Sequence, residues 1–398
     1  MAFAGAKIYI DPEHDPISGG VVVVNGGIIS DVGSLSSVRI PHDAQVIDCS
    51  GCTITAGFWN SHVHLFEKKW ENAGAIPSEE LAGQLQETFS RYGFTSVFDT
   101  GSMWENTRGL RDRIESGEVR GPRIRSTGEA LVAAHALPSD TVLRMMGLMK
   151  FPAPEISSAE QASDAARRLI AEGVDAIKVH LQPPPPPDPP MPASAIAAAV
   201  SEAHRAGKPV FVHPATGTDI LTSVQAGADI IAHTTPMTGP WTDELLSAMR
   251  DHGVALTPTV TLWKYFLRHE RLSIQDQMVN TAVGQLRSWA NGGGTVLFGT
   301  DLGATDYDPT PEYLLMTEAG MSLRQILTSL TTAPAERFGE SHRLGRIARG
   351  FLADIVVLDG DPAKDIKALA AVRHILRDGK FISSSAVSIL RADFPGLY

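Results

Sequence analysis

Between residues 55 and 344 the chain repeats one pattern eight times: a short apolar run, then a helix-length amphipathic segment. The apolar runs end at His64, Asp99, Ser126, Leu181, His213, His233, Thr259 and Thr300. Helical spacing is read over 78–92, 104–116, 158–172, 193–206, 219–226 and 242–251, over a long stretch closing near 291, and over 311–319 and 322–338. Parallel strands need crossover connections of helix length, so strict alternation implies a parallel sheet. Eight such units fit an α/β fold with a closed (β/α)8 barrel, whose chemistry is carried at the C-terminal ends of the strands.

The two ends of the chain read differently. Residues 1–54 hold Val- and Ile-rich runs at 6–10, 20–24, 27–32 and 44–48, broken by Asn25-Gly26-Gly27 and Pro41-His42-Asp43. After Gly345, runs at 353–358, 372–377 and 380–382 have similar length and turn chemistry. The two ends are expected to pair into one small β-sandwich beside the barrel. The expected domains are thus 1–54 and 345–398 for the sandwich and 55–344 for the barrel. A chain of 398 residues is long enough for both, and 43% hydrophobic with 20% charged residues is an ordinary globular balance.

Charge and cysteine usage narrow the partners. Lys+Arg number 34 against 45 Asp+Glu, a net charge of −11, and no long basic run appears, so nucleic acid is not an expected partner. No apolar run approaches membrane-spanning length, and Asp11, Glu13 and Asp15 do not suit a signal peptide. Cys49 and Cys52 form a lone Cys-x-x-Cys, two ligands short of a structural zinc site, and read as reduced thiols. The expected location is the cytoplasm.

The candidate chemistry stands at the strand ends. In Asn60-Ser-His-Val-His64, His62 and His64 are two residues apart, so on a strand they share one face. Later strand ends supply Lys178 in Asp-Ala-Ile-Lys-Val-His, His213 in Val-Phe-Val-His-Pro, His233 in Ile-Ile-Ala-His-Thr-Thr, and Asp301 in Leu-Phe-Gly-Thr-Asp. Singly, each has an ordinary explanation: a hydrogen-bonded core histidine, a snorkelling lysine, a capping aspartate. Arriving together at one rim, they read as a metal-dependent catalytic site.

On these residues the chain resembles the amidohydrolase superfamily of metal-dependent hydrolases. The resemblance extends through Glu318-Ala-Gly-Met-Ser322 and through Gly345-Arg-Ile-Ala-Arg-Gly-Phe-Leu-Ala-Asp354-Ile-Val-Val-Leu-Asp359. Lys178 makes it similar to the binuclear branch that includes Xaa-Pro dipeptidases. That resemblance implies two divalent metals, with zinc expected and manganese or cobalt also suited to such ligands. By it, His62, His64 and Asp301 hold the more buried metal, and His213 and His233 the more exposed one. Lys178, carboxylated by CO2 to N6-carboxylysine, bridges them. A shared hydroxide is the implied nucleophile, and Asp301 carries its proton to the leaving amine.

Two positions depart from the pattern. Asn60 stands where the superfamily usually has Asp, which alters the charge behind His62. Thr216 stands three residues after His213, where mononuclear deaminases typically carry Glu, which argues against deamination.

Substrate contacts are expected from the insertions after strands three, four and seven. His135 is a candidate for the substrate carbonyl, and Trp263 and Tyr265, with Thr259, for an apolar pocket. Arg144, Lys150, Lys264 and Arg268 are candidate carboxylate partners. The proline run over 183–192 reads as a semi-rigid wall. Met145, Met146, Met149 and Phe151 suit an apolar acyl group or a subunit contact, and a homo-oligomer is expected. The expected activity is hydrolysis of an amide-type C–N bond in a small molecule: an N-acyl amino acid, an Xaa-Pro-like dipeptide, or a xenobiotic amide or carbamate. The alternatives are a mononuclear cyclic-amide hydrolase or deaminase resembling imidazolonepropionase, phosphotriester or lactone hydrolysis at the same centre, and a non-catalytic barrel scaffold.

Overall fold

The computed structural model describes residues 1–136 and 153–384. Its N-terminal strands are β1 (Ala2–Ile8), β2 (Ile17–Asn25), β3 (Ile28–Ser34), β4 (Val46–Asp48) and β5 (Cys52–Ala56). Ten strands follow, interleaved with helices: β6 (Phe58–Val63), β7 (Phe94–Asp99), β8 (Arg123–Ser126), β9 (Leu131–Ala133), β10 (Glu155–Ile156), β11 (Ile177–His180), β12 (Val210–His213), β13 (Ile230–Ala232), β14 (Ala255–Thr257) and β15 (Thr295–Val296). The chain closes with β16 (Ile355–Asp359), β17 (Val372–Arg377) and β18 (Lys380–Ser384).

The interleaved strands form two parallel sheets, β6-β7-β8 and β10-β9-β11-β12-β13-β14-β15. Every residue of β6 and β7 is buried, as expected of parallel strands covered on both faces. Main-chain hydrogen bonds also link the two sheets. Asp175 donates to Ser126 O at 2.7 Å, Ser61 to Phe298 O at 2.7 Å, and His64 to Leu302 O at 2.7 Å. Strands β9 and β10 flank residues 137–152 and add a pair that the eightfold reading did not include. Arg144, Lys150, Met145, Met146, Met149 and Phe151 lie outside the described residues.

Both chain ends enter one eight-stranded sheet of order β18-β17-β16-β5-β1-β2-β3, with β4 beside β1. Its link is the antiparallel pair β5–β16, from Ala56 opposite Ile355 to Cys52 opposite Asp359. The sheet buries side chains on two faces, one around Phe3, Ile8, Val22 and Ile355, the other around Ala2, Val21 and Val23. Cys49 and Cys52 are free and buried there.

Most expected helices form close to their sequence bounds. The segment 322–338 is an exception: it splits into helices Leu323–Leu330 and Thr332–Arg337. Ser322 and Gln325 make a capping box at the first. Thr331 leaves helical backbone between the two, and Pro334 brings no N–H to a continuous ladder. Below the candidate site, Phe98, Ala176, Phe211, Ile230, Ala255 and Leu297 form a separate apolar cluster with Ala333, against which Phe338 packs. Among the described residues, no helix is long and apolar enough to cross a membrane.

Candidate active site

Strand β6 delivers His62 and His64 to one side, with ring centroids 5.3 Å apart. His62 Nε2 is 3.6 Å and His64 Nε2 3.0 Å from Asp301 Oδ1. These three residues offer ligand atoms that all lie within 4.8 Å of one another. Asp301 reaches the pair because its backbone turns left-handed, at φ 56°, while its N–H holds His62 O at 2.9 Å. The approach is close enough to require glycine nearby: a Cβ at Gly299 would stand 2.7 Å from His62 Cβ.

The imidazoles form a chain across the strand ends. His62 and His233 have centroids 4.6 Å apart, His233 and His213 4.7 Å, and His213 and His180 4.0 Å. Lys178 lies on the same strand as His180, two residues earlier, and is buried. The structure therefore gathers His62, His64, Lys178, His213, His233 and Asp301 from strands one, four, five, six and eight. It adds His180, which sequence reasoning passed over. The signal was available: Lys178 and His180 have the same i, i+2 spacing as His62 and His64.

Burial sets the charge state of this cluster. It pushes the His180 and His233 imidazoles down to about 3, and holds His62 and His213 well below the ordinary histidine value. Burial brings the Lys178 amine down to about 7, against the opposing pull of Asp301 and Asp99. Burial alone would raise Asp301, but His233, His64 and Lys178 outweigh it and bring the carboxyl to about 2. His62, His180, His213 and His233 are thus neutral imidazoles beside an ionised carboxylate.

Three buried atoms in this cluster have no hydrogen-bond partner: His62 Nε2, Lys178 Nζ and Asp301 Oδ1. Buried polar atoms are normally paired, so three converging orphans call for a missing electrophile. Neutral imidazole nitrogens and a carboxylate oxygen are the donor set of a first-row divalent cation. The residues fit such an ion.

The surrounding groups fix these ligands. His64 Nδ1 lies 2.9 Å from Gly101 O. Asn60 clamps strand one to strand eight: Nδ2 donates to Thr300 Oγ1 at 2.8 Å, while Oδ1 accepts from Thr300 N at 3.2 Å and His62 N at 3.3 Å. Asp99 is fully buried, and its carboxylate accepts from Ser102 and Ser126 hydroxyls at 2.5 Å and from Leu65 N at 3.1 Å. Thr216 caps the helix Gly217–Gln225 in a capping box with Asp219.

The candidate substrate residues are placed less uniformly. His135 is 67% exposed and its Nδ1 lies 2.9 Å from Asp188, in the proline segment. It belongs to the rim, outside the histidine cluster. Trp263 is buried and donates Nε1 to Thr234 Oγ1 at 2.8 Å, bracing the strand-six end. Tyr265 is half-buried; burial and then Asp306 push its hydroxyl up to about 12. Lys264 and Arg268 are exposed, and Arg268 donates to Tyr265 O at 3.1 Å.

Comparison with known proteins identifies the family and the fold. The family model described as "Amidohydrolase family" matches residues 53–382. The chain is 23% identical to an ochratoxinase of Aspergillus niger over 96% of this chain and 86% of that one. A crystal structure of a Xaa-Pro dipeptidase with bound methionine superposes with a TM-score of 0.80 at 24% identity, covering 96% of this chain and 98% of the other. A prolidase complexed with N-methylphosphonate-L-proline gives 0.77 at 27% identity, over 96% and 99%. The match spans the strands that carry every residue of the cluster, and the chain belongs to the amidohydrolase family as a hydrolase acting on carbon–nitrogen bonds.

Proposed function

We propose that the protein is a binuclear metal hydrolase of an amide or peptide bond in a small molecule carrying an N-acyl amino acid, Xaa-Pro or related amide or carbamate unit. The observation that carries this reading is Lys178 Nζ, buried beside His62, His180, His213, His233 and Asp301 without a hydrogen-bond partner. An ammonium there would repel a cation. A carbamate, formed when the neutral amine adds CO2, would offer two oxygens and a negative charge.

In this reading His62, His64 and Asp301 would hold one ion, His213 and His233 would hold a second, and carboxylated Lys178 would add its carbamate oxygens to the ligand set. Zinc is the favoured ion for such ligands. When bound, the two cations supply the positive charge that polarises the scissile carbonyl and lowers the pKa of attacking water. Asp301 accepts the proton of that water and returns it to the leaving nitrogen as the C–N bond breaks. A carboxyl near 2 is ionised at neutral pH, the form that can take a proton. Tyr265, held neutral, donates a hydrogen bond at the pocket wall, and Trp263 braces that wall. His135, tied to Asp188, acts from the rim on substrate entry and orientation.

The two parallel sheets make up one closed (β/α)8 barrel in this proposal. The main-chain bonds at Ser61, His64 and Asp175 support that closure. The proposed domains are 55–344 for the barrel and 1–54 with 345–398 for the β-sandwich, of which 137–152 and 385–398 lie outside the described residues, and β5 runs on to Ala56. Two free thiols support a reducing cytoplasmic location. Exposed Met237 and Leu272 support a homo-oligomer.

The test is metal content per chain on protein purified without added metal or chelator, followed by a panel of N-acyl amino acids and Xaa-Pro dipeptides. Two equivalents with hydrolysis of the panel support the reading. One equivalent points to the mononuclear alternative, and none, even after reconstitution, leaves the scaffold.

A further inference from the structure

Strand seven supplies no ligand to the proposed centre, yet its end enters the site. The sequence there is Thr257-Pro258-Thr259, and both threonines are fully buried. Thr257 Oγ1 lies 3.3 Å from His62 Nδ1. Thr259 Oγ1 lies 2.6 Å from His233 Nδ1. The main chain takes part as well: His233 N donates to Thr257 O at 2.8 Å. One tripeptide thus touches one histidine from each of the two ligand groups.

Thr259 holds this position in an unfavourable backbone, at φ 41°. A β-branched residue with positive φ is uncommon, and such outliers persist only where surrounding structure enforces them. Here the enforcing group is Glu312. Its carboxylate, fully buried, accepts from Val260 N at 2.9 Å, Thr261 N at 2.8 Å and Thr261 Oγ1 at 2.7 Å. The turn directly after Thr259 is therefore pinned, and the hydroxyl is aimed at His233.

A threonine hydroxyl can accept from a ring N–H or donate to a bare ring nitrogen. If it accepts from Nδ1–H, Nε2 is left with a free lone pair. His62 Nε2 is already the atom without a partner beside Asp301.

We infer that Thr257 and Thr259 are positioning residues, one for each metal: their hydroxyls accept Nδ1–H of His62 and His233 and present Nε2 of both rings as the ligand atom. This rests on the metal reading proposed above. Asp301 Oδ2 stands farther from His233 Nδ1 than the Thr259 hydroxyl does, at 3.8 Å against 2.6 Å.

The experiment compares the holoenzyme with Thr257→Val, Thr259→Val, Thr257→Ser and Thr259→Ser in chelator-competition titrations of zinc. Each valine variant should weaken retention of one equivalent by about 10–100-fold and leave the other in place, and each serine variant should restore it. The nitrogen-15 spectrum of labelled histidine adds a readout independent of turnover. Wild-type His62 and His233 should carry their proton on Nδ1, and each valine variant should lose that preference at its own histidine. Two equivalents held at wild-type affinity by both valine variants would overturn the inference. A wild type that binds fewer than two ions instead removes the paired centre itself. In that case unchanged histidine tautomers in the valine variants overturn the inference separately.

Discussion

The ring of His180 lies flat on that of His213, with centroids 4.0 Å apart and planes 7° from parallel. The two residues are register partners on β11 and β12, so the stack is a cross-strand pair at the end of the sheet. His213 thereby has one face fully occupied and little freedom to swing. Aromatic pairs contribute about 0.5–1.5 kcal/mol beyond burial, equivalent to roughly 2–10-fold in a binding constant. His180→Ala is expected to weaken zinc retention at the His213 side by that factor, and His180→Phe to preserve it. Chelator competition reads both.

Lys178 gives a pH dependence with a defined sign. Burial brings its amine to about 7, so the neutral, CO2-reactive form dominates above that value and the ammonium below it. At a fixed concentration of dissolved CO2, reactivation of metal-stripped protein by zinc is therefore expected to slow as pH falls from 8 to 6, approaching about tenfold per unit below 7. Lys178→Gln should abolish the bicarbonate dependence and lose the second metal equivalent. Equal reactivation with and without CO2 in the wild type would rule out the carbamate.

The metal-free protein should also be sensitive to acid. His180 and His233 are depressed to about 3 in the fold and return to the ordinary value near 6.5 on unfolding. Between those values the unfolded chain binds more protons than the folded one, so stability falls as pH falls through that window. Thermal unfolding of apoprotein at pH 7.5 and pH 5 measures this. The melting temperature should be lower at pH 5, and zinc should reduce the difference by occupying the imidazoles.

A buried ion pair ties the two sheet systems together. Arg123, on β8, donates to Asp354 Oδ2 at 2.9 Å, and Asp354 Oδ1 accepts from Asp378 N at 2.9 Å. Removing Asp354 leaves the buried Arg123 guanidinium leaning on the half-exposed Asp378 carboxylate, 3.2 Å away. Asp354→Ala is expected to lose about 3–5 kcal/mol in urea denaturation, and a double change of Arg123 to Met with Asp354 to Leu should recover much of that. A single change that costs under about 1 kcal/mol would mean that water reaches the pair.

Much of the site was legible because its logic is periodic. Alternation on β6 placed His62 beside His64, and strand-end positions placed Lys178, His213, His233 and Asp301. His180 obeyed the same rule, two residues after Lys178, and was passed over. The strand-seven threonines were hidden for another reason: their role depends on a left-handed residue and on Glu312, more than fifty positions away in sequence. His135 was singled out by its loop, and its partner Asp188 comes from a different loop. Side chains fixed by tertiary contact leave little trace in local pattern. The short β9–β10 pair and the break at Thr331 were missed likewise, since two- and three-residue strands carry almost no periodic signal.

The junction at Gly57 has a consequence for biosynthesis. It alone separates β5, which pairs with β16, from β6, which bears His62 and His64. A ribosome therefore releases His62 and His64 long before β16, the partner of β5 on the edge opposite β1, exists. Until β16 emerges, the nascent chain displays β5 with one edge open, the kind of surface that recruits other chains or a chaperone. Only a polypeptide that has reached β16 can close that edge, so the last stage of translation and the final alignment of His62 and His64 become a single late event.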